Sequence, residues 1–316
     1  MDEVLISALA DGEFHSGQEL AELLGLSRMA IWKQLRKLEG HGLTVESVRG
    51  RGYRIPGGIE LLDGAAIRAG LSPAVLADIT KLEVFDVMDS TNAYVASLGD
   101  KGCGVVCLAE RQTQGRGRRG RQWQSPFGRN LYLSLGWTFT GGATALEGLS
   151  LAVGVAVRRA LSANGQPLLK WPNDLLYNGR KLAGILIEMS GDPTGDCQVV
   201  IGVGVNIGMR GEARPEIDQP WADAREFTDD SRNVLAARII NEVFLTTARF
   251  AERGFASFQE EWCQYDAWAG KPVYLTTPAA RIEGIARGVT ENGALRLEVN
   301  GEIQLVTGGE ISLRLQ

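Results

Sequence analysis

Apolar residues recur at helical spacing as soon as the chain begins, with Leu5, Ile6 and Leu9 sharing one face. Ser16 stands where it can cap a second helix. Glu19 follows at the capping-box spacing, and Leu20, Leu23 and Leu24 supply the apolar face. Gly25-Leu26 breaks that helix. Ser27 caps a third, whose core face is Ile31, Leu35 and Leu38 and whose other face presents Arg28, Lys33, Arg36 and Lys37. Gly40 and Gly42 end it. Leu43–Val48, the basic turn Arg49-Gly50-Arg51-Gly52 and Tyr53-Arg54-Ile55 predict a β-hairpin, and Pro56-Gly57-Gly58 a linker.

Beyond residue 62 the pattern changes. Strand-like runs at Leu82–Val87, Gly104–Ala109, Asn130–Trp137, Lys181–Met189 and Gln198–Ile207 are mixed with long helical patterns at Leu146–Ala163 and Arg232–Arg253. Strands such as those flanking Ser190–Cys197 are joined by short loops, so the spacing predicts a mixed or antiparallel sheet in an α/β domain over residues 63–268. From Lys271 five short strands follow: Val273–Thr276, Arg281–Val289, Leu295–Val299, Glu302–Val306 and Ile311–Leu315. Asn292-Gly293 and Asn300-Gly301 read as tight hairpin turns. Residues 269–316 therefore read as a small SH3-like barrel, in a chain of α+β class.

Composition adds bounds. The chain has 316 residues, long enough for two or three domains with a sizeable core. No apolar run reaches the ~18 residues of a membrane span. The acidic start Met1-Asp2-Glu3 does not read as a signal peptide, so the cytoplasm and no membrane are expected. Cys103, Cys107, Cys197 and Cys263 form no C-x-x-C pair and read as buried reduced thiols, with Cys103 and Cys107 on one face of a strand. The two histidines, His15 and His41, precede residue 62. Everything after that lacks a Ser-His-Asp triad, a Cys-His pair and an H-E-x-x-H zinc site, so its chemistry must run on Lys, Arg, Asp, Glu and backbone groups.

A net charge of −5 argues against a general nucleic-acid binder, but the distribution says more. Residues 1–27 hold six acids and no base, whereas residues 28–54 hold seven bases and two acids. The positive charge sits on the third helix and the hairpin, so residues 1–62 predict a winged helix-turn-helix that binds DNA. Arg28, Met29, Trp32 and Lys33 would face base edges, with Arg36, Arg49 and Arg51 nearby and the hairpin arginines on phosphate. Trp32 could equally be a packed aromatic.

Four segments look chemical. Asp89-Ser90-Thr91-Asn92 follows a strand and precedes the helix Ala93–Leu98, serving either as a plain cap or as a place where N–H groups meet a ligand. Gln112–Arg121 places three glycines and four arginines in seven residues, then Gln122-Trp123. Gly115, Gly117 and Gly120 fit G-x-G-x-x-G, yet no helix follows and no Gly-Lys-Ser/Thr is present. What remains is a cationic loop suited to a triphosphate, or else a disordered or RNA-binding segment. Lys170-Trp171-Pro172-Asn173-Asp174 is the third segment. The fourth, Arg180–Glu188, holds Lys181 at a strand start, as an electrophile stabiliser or simply as an edge charge.

Taken in order, these segments resemble the biotin–protein ligase family: Ser90-Thr91-Asn92, Gly115–Arg121 with Trp123 and Ser125-Pro126, Asn130–Ser134, Lys170–Asp174, Arg180–Glu188 and Gly202–Asn206. With the N-terminal winged helix the chain resembles the bifunctional type, biotin ligase plus biotin-operon repressor. The resemblance implies a central fold like the class II aminoacyl-tRNA synthetases. It implies biotin against Ser90, Thr91, Asn92, Gln112, Arg116, Gly117, Arg118 and Lys181. ATP or the adenylate would lie against Gly115, Arg121, Lys170, Asn173, Asn206 and Trp221, the last stacking on adenine. Lys181, Arg118 and Asp174 would be catalytic, with Asp174 orienting or deprotonating the acceptor amine. The family uses ATP with Mg²⁺, whose ligands the motifs do not name. Implied partners are a biotin carboxyl carrier protein, operator DNA, and a second copy of the chain once biotinyl-5'-AMP is bound.

Two rivals remain at this point. A lipoate–protein ligase shares the chemistry, and the unbroken Gly/Arg run favours biotin over it. A pure biotin-sensing regulator would not need Lys170 and Lys181. Two departures from the family pattern bear on the surface and the dimer rather than the reaction. Arg129 stands where a small residue is usual, and Val306-Thr307 precede Gly308-Gly309 where a Trp-Met pair is usual.

Overall fold

The computed structural model describes residues 3–40, 42–192, 195–209, 217, 219–276, 281–307 and 312–315. The chain opens with helices α1 (Glu3–Ala8), α2 (Gly17–Leu24) and α3 (Arg28–Gly40), followed by the antiparallel hairpin β1 (Glu46–Val48) and β2 (Gly52–Arg54). Ser16 and Glu19 form the expected capping box, with the Glu19 N–H donating to Ser16 Oγ (3.1 Å) and the Ser16 N–H to Glu19 Oε2 (2.7 Å). Gly25 closes α2 in the left-handed region, φ 64°. Ser27 Oγ accepts from the Ala30 N–H at the start of α3. Leu5, Ile6, Leu9, Leu20, Ile31, Leu35 and Leu38 are buried in one core.

Leu23 departs from the reading: it is 60% exposed. The eight-residue helix is buried along Leu20 and Ala21, with Leu24 packed beside them, and Leu23 falls off that stripe.

The central part continues with α4 (Gly64–Ala69), α5 (Pro73–Asp78), β3 (Lys81–Met88), α6 (Thr91–Ser97), β4 (Val105–Gln112), β5 (Leu131–Phe139), α7 (Leu149–Leu161), β6 (Leu168–Lys170), β7 (Asp174–Tyr177), β8 (Arg180–Gly191), β9 (Cys197–Val205), α8 (Arg232–Arg253) and α9 (Gln259–Gln264). Its seven strands run in the order β3-β4-β5-β9-β8-β7-β6. Only β3–β4 is parallel, so the expected mixed sheet is present.

Strand alternation divides the two faces. Val199, Ile201, Val203 and Val205 of β9 join the large core with α7 and α8. Val200 packs instead with Val95 of α6, so Gly202 and Gly204 share the α6 side with it. Cys107 and Cys197 are buried, and burial pushes the Cys107 thiol up to about 12. Cys103 is exposed rather than buried, because β4 starts only at Val105.

The C-terminal strands are β10 (Pro272–Thr276), β11 (Arg281–Val289), β12 (Leu295–Val299), β13 (Glu302–Val306) and β14 (Ser312–Leu315), paired antiparallel in the order β13-β12-β11-β10-β14. Asn300 (φ 52°) and Gly301 (φ 85°) make the two-residue turn expected of Asn-Gly. Asn292-Gly293 does not. There the loop is wider, closed by the Thr290 N–H on Ala294 O (2.8 Å), next to an irregular stretch of β11. Ile311 and Gly308-Gly309 lie outside the described residues. Val273, Leu275, Leu295, Leu297 and Leu313 share the central core, and Trp171 Nε1–H donates to Gly293 O (3.1 Å).

The Pro56–Gly58 stretch is held by the central domain rather than free. Arg129 donates to Gly58 O (2.9 Å) and Pro56 O (3.1 Å), which accounts for a cation at that position. Phe127 inserts into the N-terminal core. Glu110 and Arg232 form a 2.8 Å ion pair with both side chains at most 3% exposed. Glu110 also accepts the Leu62 N–H, while Arg232 reaches Asn130 O and Glu60 O.

Removing one partner from such a pair leaves a buried charge unmatched. We expect Glu110→Ala to lower unfolding free energy by about 3–5 kcal/mol. Urea titration of the full chain measures it, and a loss below about 1 kcal/mol would contradict this account.

Candidate active site

A cavity of about 530 Å³ opens on the α6 side of the large sheet. Its floor is bare because Gly184, Gly202 and Gly204 bring no side chains there. A Cβ on Gly202 would stand 2.3 Å from Asn92 Oδ1, and one on Gly204 2.7 Å from the Trp123 ring. Those glycines are therefore required by close approach. Trp123 was not among the expected site residues, although its place directly after the Gly/Arg run was the available signal.

At one end, Ser90 caps α6, its Oγ accepting the Ala93 N–H (3.4 Å). Ser90, Thr91 and Asn92 also line the cavity, so cap and lining roles coexist. The Thr91 N–H donates to Gln112 Oε1 (2.9 Å), and Ser134 Oγ lies 2.7 Å from Thr91 Oγ1 and 2.6 Å from Asn92 Oδ1.

The Gly/Arg run is folded. The Thr113 and Gln114 N–H groups donate to Met88 O and Asp89 O, the Trp123 N–H to Gly115 O, and the Gly117 N–H to Arg121 O (2.7 Å). Arg119 takes a left-handed conformation (φ 61°, ψ 35°) in a single turn over Arg118–Gly120. A side chain on Gly115 would meet Trp123 O at 2.7 Å.

The four arginines separate. Arg118 is partly buried and donates to Asn173 Oδ1 (3.2 Å), and burial lowers its pKa against the pull of nearby Asp174. Arg116 pairs with Glu188 (3.1 Å). Arg119 and Arg121 are exposed along the rim.

The far end carries a charge cluster. Asp174, on β7, lies 2.6 Å from Lys181 Nζ and 3.1 Å from Lys170 Nζ. Burial alone would push its carboxyl up. The two ammonium groups outweigh burial and hold it below the ordinary range. Lys170 is lowered by burial, against Asp174, and lies 4.8 Å from the Trp268 ring centroid.

Asn206 donates to Ala222 O (3.1 Å) and Lys181 O (3.3 Å), fastening the Trp221 segment beside β8. Trp221 lines the cavity. So do Ser312, Leu313 and Arg314 of β14, from a domain in which the sequence showed no chemistry. Among the described residues no group of three His, Cys, Asp or Glu could hold a metal ion, and no helix is long and apolar enough to cross a membrane.

On the N-terminal domain, Met29 is 64% and Trp32 45% exposed. Trp32 is thus on the outer face of α3, with the Arg36 guanidinium 5.5 Å from its ring centroid. Arg51 and Arg54 stack on Phe14 at 4.1 and 4.5 Å.

A cavity with an apolar floor, arginines on one wall and a half-buried lysine pair at its end, joined to a basic winged helix, defines a ligand-activating enzyme carrying its own DNA-reading module. Residues 84–206 match the biotin/lipoate A/B protein ligase family, residues 3–54 an HTH domain, and residues 269–314 the biotin protein ligase C terminal domain. The chain is 44% identical to the bifunctional ligase/repressor BirA of Salmonella typhimurium, over 98% of this chain and 96% of that one. It is 35% identical to the biotin–[acetyl-CoA-carboxylase] ligase of Paracoccus denitrificans, over 71% of this chain and 96% of the relative. Its structure matches a biotin protein ligase from Aquifex aeolicus in complex with biotin and ATP, with a TM-score of 0.66 at 28% identity, covering 75% of this chain and 100% of that one. The chain belongs to the biotin protein ligase family, aligning along its whole length with the bifunctional ligase/repressor type.

Asp266 lies behind β6, where Ala267 N–H donates to Leu169 O. It accepts the Trp268 N–H (2.9 Å), and burial raises its carboxyl to about 6. A raised acid favours the folded state most when protonated. That stability is full below the unfolded value near 4 and is lost as pH rises through about 6. Asp266→Asn keeps the acceptor and removes the charge. The variant should therefore gain on the wild type between about pH 4 and 7, by about 2–3 kcal/mol. Parallel denaturant curves across that range test this, and a constant offset would refute it.

Proposed function

We propose that this chain makes biotinyl-5'-AMP from biotin and ATP and passes the biotinyl group to a lysine of a biotin carboxyl carrier protein. The same adenylate serves as its corepressor on operator DNA of biotin synthesis genes. The observation that carries the reading is the Lys170–Asp174–Lys181 cluster at the end of a glycine-floored cavity walled by Arg118.

The bare floor and Trp123 form an apolar wall suited to the thiophane ring. Ser90, Thr91, Asn92 and Gln112 offer donors and acceptors to the ureido group, and Arg116, Gly117, Arg118 and Lys181 surround the valeryl chain and carboxylate. Gly115, Arg121, Lys170, Asn173, Asn206 and Trp221 serve the nucleotide, Trp221 against adenine.

The ionised carboxylate of biotin attacks the α-phosphorus of ATP. A new P–O bond forms, the α–β bridge breaks, and pyrophosphate leaves. No base is needed, because the nucleophile is already ionised near neutral pH. Lys181 and Arg118 neutralise charge growing on the phosphoryl oxygens. The acceptor lysine, as its free amine, then attacks the acyl carbon, forming an amide and releasing AMP.

Asp174 is assigned to orientation rather than proton removal. A carboxylate fixed between two lysines and held below its ordinary range is a weak base. Mg²⁺ fits best as an ion carried on the phosphates, since such ions need only one or two protein carboxylates.

For DNA, Arg28, Met29, Trp32 and Lys33 of α3 face the major groove, with Arg36 beside Trp32. Arg49 and Arg51 of the wing meet phosphate. We assign the protein to the cytoplasm and infer a homodimer once the adenylate is bound. We divide the chain into domains at residues 1–62, 63–268 and 269–316.

Incubation with ATP, Mg²⁺, biotin and an acceptor domain should biotinylate that domain, and no labelling would sink the ligase reading. Lys181→Gln should lower kcat for adenylate formation by roughly a hundredfold or more. Operator affinity should rise with biotinyl-5'-AMP, alongside a shift to dimer in sedimentation. Equal affinity with and without it would remove the corepressor role.

A further inference from the structure

One acidic side chain beside the cavity has no part in the mechanism above. Glu188 projects from β8 on the cavity side of the sheet and is 32% exposed. It stands behind the residues that line the cavity. Its carboxylate meets two groups from different elements: Arg116 of the Gly/Arg run, at 3.1 Å, and Asn92 Nδ2 of α6, at 2.6 Å.

We infer that Glu188 is a positioning residue for the biotin site, holding the Gly/Arg loop and orienting the Asn92 amide through one carboxylate. This rests on the biotin-site reading above.

Glu188 offers these partners a carboxylate. It accepts and never donates. Asn92 must therefore turn its NH₂ toward Glu188, which leaves Oδ1 facing Ser134 Oγ at 2.6 Å. Ser134 has one hydroxyl proton, and Oδ1 needs it. Ser134 then accepts from the Thr91 hydroxyl, 2.7 Å away, a shorter contact than the 3.1 Å between that hydroxyl and Gln112 Oε1. Gln112 Oε1 keeps the Thr91 N–H (2.9 Å), which leaves the Gln112 NH₂ end available as a donor. One acceptor-only group at the end of the chain thus sets the direction of the hydrogen bonds from Asn92 through Ser134 to Thr91, while the Thr91 N–H by itself orients Gln112. A ureido group, with one acceptor and two donors, discriminates between the two directions.

The second arm acts on the loop. Arg116 is 49% exposed and also pairs with Gln122 across the loop, so Glu188 anchors the base of the turn that carries Arg118.

Glu188→Gln removes the charge but keeps the shape. Its NH₂ must face either Arg116, donor against donor, or Asn92, which must then flip. We expect the biotin KM and calorimetric Kd to rise about tenfold or more, while the ATP KM stays within about threefold. Glu188→Asp should recover part of the loss. Arg116→Gln combined with Glu188→Gln should cost less than the sum of the two, because the loop arm is shared while the Asn92 arm is not.

A Gln variant with biotin KM within about threefold of the wild type overturns the inference. So do equal rises in both KM values, which mark general loosening, and so does full additivity in the double variant. Should the Gln variant not fold, Glu188→Asp reads the same split between substrates. If the wild type ligates biotin and the variants match it, only the positioning role fails. A wild type that neither binds nor ligates biotin removes the proposed function as well.

Discussion

A carboxylate drawn largely out of water must be matched by charge, and much of this molecule is arranged around matching Asp174. Its partners come from two strands: Lys170 ends β6 and Lys181 lies near the start of β8, while Asp174 begins β7 between them. Three antiparallel strands therefore have to meet in register before the cluster exists. Lys170↔Asp174 and Asp174↔Gly184 are backbone neighbours in that register. The result is two ammonium groups held still in a partly dry pocket, where a phosphoryl anion gains more from them than it would in water. The same burial lowers Lys170, and the Asp174 carboxylate opposes that shift.

The sheet supports this from behind. Val199, Ile201, Val203 and Val205 of β9 are branched and apolar and join the core of α7 and α8, while Gly202 and Gly204 leave room for a ligand. The floor can be bare because the opposite face supplies the burial that holds the strands. The C-terminal sheet adds a second wall by sharing that core through Leu313, and Leu313 and its neighbours on β14 reach the cavity.

Much of the lining of this cavity was legible in the sequence because it lies in short contiguous motifs. Lys170–Asp174, Ser90–Asn92 and Gln112–Arg121 all reach one cavity, and the five C-terminal strands fell close to their expected spans. What escaped were relations between distant segments. Glu188 matters through Asn92, 96 positions away. Arg129 was only an oddity until the linker carbonyls at Pro56 and Gly58 were seen to meet it. Arg314 comes from a strand with no motif. Local errors had local causes: Leu23 fits a helical stripe on paper, but an eight-residue helix buries too narrow a face to cover it.

The two activities also need a physical link, and the interface between the first two domains supplies a candidate route. Gln112 and Glu110 are two residues apart on β4. Gln112 touches the cavity, whereas Glu110 grips Leu62 and Arg232 at the root of the N-terminal domain. The chain leaves β4, runs through the Gly/Arg loop and returns at Phe127, inside the N-terminal core. A ligand that tightens this loop thus acts on a segment fixed at both ends beside the DNA-reading domain. Coupling between the sites then requires only that the bound and free loop favour different settings of the Glu110–Phe127 segment. Phe127 is buried by the N-terminal core and Glu110 by its pairing with Arg232 and Leu62, so both ends of the segment are held without touching the cavity.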